Sequence, residues 1–311
     1  MKRHLIMSLL AITVASTSVR ADAASSVATG GSVPPRVLLI VAHPDDEYEM
    51  AATVYKIARD LAGVVDQVII SDGEGGFRYS TLAGQYYGID LTNEQIGRAQ
   101  LPHIRKDEAR RAARVLGIQH QWFLNERDEH FTLDANEVLQ KSWNSNRVEQ
   151  RLVQRLRQGR YDVVLVLLPT EDTHGEHKAA SILALEAVAR LPENQRPAIL
   201  AAEASDKNPS YSTLPGYPAT ATYSSLPQFR FDRDIHFGFR NSLSYQIVVN
   251  WVIAEHKSQG LFQTTIGQDR YESFWVFRVS SESANEKATA LFSRLSGTPG
   301  LLEPTVAATV K

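Results

Sequence analysis

An unbroken apolar run, Val37-Leu38-Leu39-Ile40-Val41, leads directly into Ala42-His43-Pro44-Asp45-Asp46-Glu47. Continuous aliphatic residues, rather than alternating ones, predict a strand covered on both faces, as in a parallel sheet. Met50, Val54, Ile57 and Leu61 then recur at helical spacing and predict a helix over 47–62, with Gly63 as its stop. Val68-Ile69-Ile70-Ser71 predicts a second buried strand ending in Asp72-Gly73-Glu74-Gly75-Gly76, which makes a βαβ unit. Residues 73–102 mix glycine, polar and aromatic residues without a period and read as a long irregular connection. Beyond it the pattern predicts a helix over 105–116 closed by Gly117, a strand over 122–124 ending in Asn125-Glu126-Arg127-Asp128, a helix over 136–158 and an apolar strand over 163–168. Pro169 stops that strand, Thr170-Glu171-Asp172-Thr173-His174-Gly175-Glu176-His177 follows, and a helix is predicted over 178–190. A strand over 199–201, an irregular stretch over 205–227, and strand, helix and strand over 229–231, 243–256 and 274–279 complete the series. Strands alternating with helices predict an α/β fold, Rossmann-like, with an open, mostly parallel sheet and helices on both faces.

The two ends of the chain differ from this pattern. Lys2, Arg3 and His4 precede an apolar stretch from Leu5 to Val14, and small residues lead to Ala21-Asp22-Ala23. This is the layout of a cleaved secretory signal, residues 1–23, too short in its apolar part for a membrane anchor, which needs ~20 residues. A Ser/Gly/Pro-rich linker over 24–35 leads to the domain, read as 36–280, and 281–311 reads as a C-terminal tail, helical at most to Leu295. The expected location is the periplasm or the medium, with no stable membrane anchor after cleavage. A net charge of −2 with no Lys/Arg-rich run argues against nucleic-acid binding. The chain has no cysteine, so any metal must be held by His, Asp or Glu. Oligomeric state is not legible.

Both polar clusters follow apolar strands, and a parallel sheet brings such strand ends to one edge, where open α/β sheets bind ligands. His43, Asp46 and His177 offer two imidazole nitrogens and a carboxylate oxygen, a ligand set that suits catalytic Zn²⁺ with a position left open. His174 and His177, three apart, can face one centre. Asp45, beside a ligand and not required as one, is placed to be a general base. Taken singly, a His-Pro-Asp or a His-x-x-His is common surface chemistry; the pairing of the two, each after its own buried strand, carries the reading.

Ala42-His43-Pro44-Asp45-Asp46-Glu47 with His174-Gly175-Glu176-His177 resembles the signature of the PIG-L/LmbE-like zinc-dependent N-deacetylases. Gly73-Glu74-Gly75-Gly76, Arg105-Lys106-Asp107-Glu108 running to Leu116-Gly117, and His256-Lys257-Ser258-Gln259 resemble further motifs of that family, over about residues 36–260. The resemblance implies that His43, Asp46 and His177 bind Zn²⁺, that Asp45 is the catalytic base, that His174 is the electrophilic or acid partner, and that Arg78 contacts substrate. It also draws His256 towards the pocket.

The function expected is an exported Zn²⁺-dependent hydrolase that removes an N-acetyl or other acyl group from a small N-acetylated amino sugar or glycoconjugate. A carbohydrate- or metal-binding module without turnover, and a metal-assisted hydrolase of another bond, stand as alternatives. A signal peptide departs from the family pattern and leaves the substrate open. Asp172 is read either as a carboxylate orienting His174 or as a turn former. Arg105 and Glu108 are read as a surface pair or as a brace of the site, and Glu47 as the first residue of a helix, favoured there by the dipole. Phe77, Tyr79, Tyr86 and Tyr87 are read as sugar-stacking rings or as packing of the long connection.

Overall fold

The computed structural model describes residues 33–260 and 269–296. The expected signal peptide and most of the linker, together with the end of the tail, lie outside the described residues.

Chain order gives strand β1 (Arg36–Val41), a 3-10 turn (Asp46–Met50), α1 (Ala51–Tyr55), a π turn (Lys56–Asp60) and β2 (Val64–Ser71). A 3-10 turn (Glu74–Tyr79), α2 (Thr81–Tyr87), α3 (Glu94–Leu116), β3 (His120–Glu126), α4 (Ala135–Glu137), α5 (Ser145–Gly159) and β4 (Val163–Leu167) follow. Then come α6 (Gly175–Ala189), β5 (Ala198–Ala204), β6 (Phe229–Asp232), a small hairpin of β7 (His236–Phe237) and β8 (Leu243–Ser244), α7 (Gln246–Glu255), β9 (Tyr271–Val276) and α8 (Glu282–Leu295). The main sheet has the order β3-β2-β1-β4-β5-β9-β6. Its first five strands are parallel, and β9 runs antiparallel to both β5 and β6. The mostly parallel α/β sheet expected from the apolar runs is the one observed.

Alternation along β1 explains why its run is wholly apolar. Val37 and Leu39 point into one core, with Ala112, Leu116, Val248, Val252 and Leu291. Leu38 and Ile40 point into the other, with Val148, Leu152, Ala180 and Ala184. A side-chain period of two over a sheet covered twice leaves no polar position on the strand. Among the described residues no helix is long and apolar enough to cross a membrane.

Several elements differ from expectation for identifiable reasons. The first helix is three short windings, because a carboxylate from another strand interrupts it: Glu272 of β9 accepts from Ala52 N and Thr53 N at 2.8 Å each, capping α1 where a continuous helix would have its interior. Residues 73–102 are largely helical. Asn93 caps α3 by accepting from Ile96 N, and the helix runs through Pro102 to Leu116, beginning eleven residues before the expected start. Phe77, Ala83, Leu91 and Leu101 bury together beneath this segment, joined by Tyr87, so the two rings pack it down. The helix over 136–158 is split at Trp143, where Asn144 starts α5 by accepting from Arg147 N at 3.1 Å. Residues set apart as a tail supply α8, whose Ala284, Ala288, Leu291, Phe292 and Leu295 enter the first core. The helix ends at Leu295, the limit expected for it, and its apolar face covers the sheet.

Candidate metal centre

β1 and β4 are neighbours, so His43 and the segment after Leu168 reach the same sheet edge. Asp46 Oδ2 accepts from Ala42 N and His43 N, both at 2.9 Å, which folds the polar cluster back over the strand end. On the other side α6 begins three residues earlier than expected. His174 is its N-cap, and Nδ1 accepts from Glu176 N at 3.0 Å. Gly175 permits this start, since a Cβ there would lie 3.0 Å from Asp134 O and 3.1 Å from Thr132 O. His177 therefore sits in the first turn and faces β1.

The three expected ligands meet. His43 Nδ1 is 3.0 Å from His177 Nε2, His177 Nε2 is 3.2 Å from Asp46 Oδ1, and Asp46 Oδ1 is 3.6 Å from His43 Nδ1. With ligand bonds of 2.0–2.2 Å, a tetrahedral Zn²⁺ separates its ligand atoms by roughly 3.3 Å, so these edges fit one face of such a site. The outer nitrogens are occupied in the manner that turns lone pairs inward. His177 Nδ1 is 3.0 Å from Thr173 Oγ1, and His43 Nε2 is 3.0 Å from Glu176 Oε2 in an ion-pair contact off the hydrogen-bond line. A second grouping of His43, His174 and Glu176 also lies within reach of one ion. It fits less well, because His174 Nδ1 is already taken by a backbone N–H.

Charge in the centre favours a cation. Burial opposes ionisation of Asp46, yet His177 and His43 hold its carboxyl well below the usual range. Burial likewise opposes a charge on His43, and Asp46 with Glu176 still raises its proton affinity well above the ordinary value. Asp45 makes no part of the triad. It is half-buried, lines the same cavity, and burial together with Asp46 pushes its carboxyl up to about 6. His174 is driven the other way, down to about 3, by burial and by the neighbouring histidines. With Nδ1 accepting, a neutral His174 carries its proton on Nε2, so the ring is a hydrogen-bond donor.

Behind the triad lies a buried brace. Glu47 lies in the first turn of the winding over Asp46–Met50, as expected of a helix start, and it is also buried, with His256 Nε2 2.7 Å from its Oε1. Arg105 and Glu108 are equally buried and do not form a surface pair. Glu108 accepts from Ser258 N at 3.0 Å, Ser258 Oγ at 2.6 Å and Tyr87 OH at 2.9 Å. Arg105 donates to Gly73 O and to Ser258 O. Gly76 has no Cβ because the Arg105 guanidinium occupies that space.

Arg78 is not where the resemblance implies, and Asp172 fits its reading as a turn former rather than as a carboxylate orienting His174. Arg78 is exposed, lies over the Phe77 ring and does not line the cavity, since its 3-10 turn points it to solvent; the arginine that does line it is Arg105. Asp172 lines the cavity, but its partner is Thr170, and His174 is oriented by the Glu176 backbone instead. The sequence assigns no role to Glu176, Asp128, Glu203 or Gln259, though Glu176, Asp128 and Gln259 lie inside its polar stretches and motifs, and Asp128 and Glu203 stand at or just past the carboxyl ends of strands.

Residues 38–188 match the family model described as "PIG-L: GlcNAc-PI de-N-acetylase". A probable N-acetyl-alpha-D-glucosaminyl L-malate deacetylase 2 of Bacillus cereus is 26% identical over 163 residues, 52% of this chain and 65% of that protein. Its counterpart of the same description in Bacillus anthracis is 29% identical over 167 residues, 53% of this chain and 64% of that one. The match thus spans slightly less than two thirds of the length of either relative. Among solved structures, N,N'-diacetylchitobiose deacetylase from Pyrococcus horikoshii aligns with a TM-score of 0.50 at 21% identity, over 78% of this chain and 84% of that one, a likeness of fold.

Proposed function

We propose, from the match of residues 38–188 to the PIG-L family model, that the chain is a Zn²⁺-dependent N-deacetylase of N-acetylated amino sugars or glycoconjugates. The observation that carries the proposal is the inward-facing triangle of His43 Nδ1, His177 Nε2 and Asp46 Oδ1 beside an uncommitted Asp45. When bound there, the ion supplies Lewis-acid polarisation of the acyl carbonyl and activation of water near neutral pH. Asp45 accepts the proton of the attacking water and, once protonated, returns it to the leaving amine, without which an amide does not part. His174 donates from Nε2 to the developing oxyanion, a contribution of roughly 3–4 kcal/mol for a well-placed donor. Glu176 and Thr173 hold the two imidazoles in the ligand tautomer.

Support for an amino-sugar substrate comes from the descriptions of the relatives and from Tyr48, Tyr79 and Phe131, whose rings line the cavity. An uncommitted base beside a complete ligand set favours turnover over a binding module. Support for export rests on the N-terminal pattern of Lys2-Arg3, apolar stretch and Ala21-Asp22-Ala23.

The test is metal content and amine release together. Purified protein is expected to hold about one zinc per chain and to release amine from at least one member of a panel of N-acetyl sugars, with both lost on chelation and restored by Zn²⁺. Stoichiometric zinc with no release from any member would sink the activity.

A further inference from the structure

The cavity around the triad, about 520 Å³, is strongly one-signed. Asp45, Asp46, Glu49, Asp128, Asp172 and Glu203 line it, and Arg105 is the one lysine or arginine among its described lining residues. That guanidinium is committed to Gly73 O and Ser258 O and already faces Asp45 and Asp128. Asp46 answers to the metal centre, and Glu49 accepts from Ala204 N at 2.6 Å.

Glu203 has no such answer. Its Oε2 is buried with no hydrogen-bond partner among the described residues, and the charges that act on it, Glu49, Asp172 and Asp269, are all negative. Burial first, and these neighbours second, push its carboxyl up to about 7. A second, independent feature of the same cavity points to a ligand. Gln259, only 7% exposed, lines it with Nε2 lacking any partner among the described residues. A buried amide donor without an acceptor is destabilising, and a ligand oxygen relieves it. The cavity therefore asks for a hydroxylated ring for Gln259 and the aromatic faces, and a cation for Glu203.

Position says where that cation sits. Glu203 follows the carboxyl end of the β4-paired part of β5, two strands from β1, and strands lie about 4.8 Å apart. Glu203 is then on the order of 10 Å across the sheet edge from the strand that presents His43, the reach of one further sugar unit. We infer that Glu203 is a specificity-determining residue that receives a free ammonium group on the unit next to the N-acetylated sugar, so that the substrate is a partly de-N-acetylated amino-sugar chain and anionic conjugates are disfavoured. This rests on the deacetylase reading of the site. It also sets the chain apart from its relatives described as acting on a malate conjugate, whose carboxylates would enter an acidic cavity.

The experiment uses the full zinc-loaded chain carrying Asp45→Asn, which blocks turnover, with Glu203 intact, Glu203→Gln or Glu203→Asp. Three ligands share an N-acetylglucosaminyl end and differ in the second unit: glucosamine, N-acetylglucosamine or malate. Calorimetric titration at pH 7.5 is expected to give the glucosamine ligand roughly tenfold tighter binding than the neutral one, as for a charge-assisted contact, with malate weakest. The ratio is expected to fall towards one in Glu203→Gln and to persist in part in Glu203→Asp. Equal binding of the charged and neutral ligands, a ratio unmoved by Glu203→Gln, or tightest binding of malate would overturn the inference. Amine release by the chain with Asp45 restored is read separately, so failure of the deacetylase reading shows as no release, while the titration still reports on Glu203.

Discussion

The candidate metal centre and the brace behind it are made of the same residue types, yet their polar atoms are arranged in opposite ways. In the brace, Glu47 meets His256, and Glu108 meets the N–H and hydroxyl of Ser258, so each carboxylate is matched by donors. In the centre, three lone-pair atoms from His43, His177 and Asp46 face one another within 3.0–3.6 Å, and the donors Glu176 and Thr173 would need to satisfy stand on the outer nitrogens. Buried histidine and carboxylate do not themselves make a metal site. Which atoms converge decides between a cation-binding centre and a rigid support.

The comparison breaks most sharply at a ligand. His177→Ala is expected to lose stoichiometric zinc and to lower deacetylation by more than about 10⁴-fold, beyond what one general base supplies. Zinc retained at one per chain with activity intact would remove His177 from the centre. Asp45→Asn separates chemistry from metal binding. Its kcat is expected to fall by roughly 10²–10⁴-fold at unchanged zinc content by elemental analysis, and a loss of zinc would make Asp45 a ligand.

Glu108→Ala probes the brace alone. Orphaning the Ser258 and Tyr87 donors is expected to cost about 1–3 kcal/mol per group left unpaired, seen as a lowered Tm while zinc content holds. Zinc loss without a change in Tm would mean that the brace belongs to the centre.

The smallest effect expected is one of pH on stability. Glu203 has its folded carboxyl raised to about 7 from an ordinary glutamate value near 4.5, so the folded chain binds the proton more tightly than the unfolded one. Stability contributed by this group is therefore present at low pH and declines as pH rises across that window. Glu203→Gln is expected to flatten the decline in urea unfolding midpoints between pH 4.5 and 7.5, and an unchanged slope would show that no ionisation of Glu203 is involved.

Legibility followed the range of the interaction. Asp46 folds onto Ala42 N and His43 N, four and three residues away, and His174 caps a helix two residues on, so short spacing was enough to nominate them. Arg78 failed because a turn of 3-10 helix set its direction, and the sequence carries no sign of which way that turn faces. The first helix failed because Glu272, 220 residues from Ala52, caps its middle.

By itself the sequence determined the parallel core, since aliphatic runs covered on both faces between helices favour a parallel sheet, and with it the edge at which His43, Asp46 and His177 collect. Only the tertiary structure decided which polar atoms face one another. It buried Glu47 and Arg105, and it left Glu203 Oε2 and Gln259 Nε2 without hydrogen-bond partners among the described residues in the same cavity. Hydrophobic burial is non-directional and shows in composition along the chain, whereas hydrogen bonds and ligand geometry depend on distances of tenths of an ångström between residues far apart in sequence.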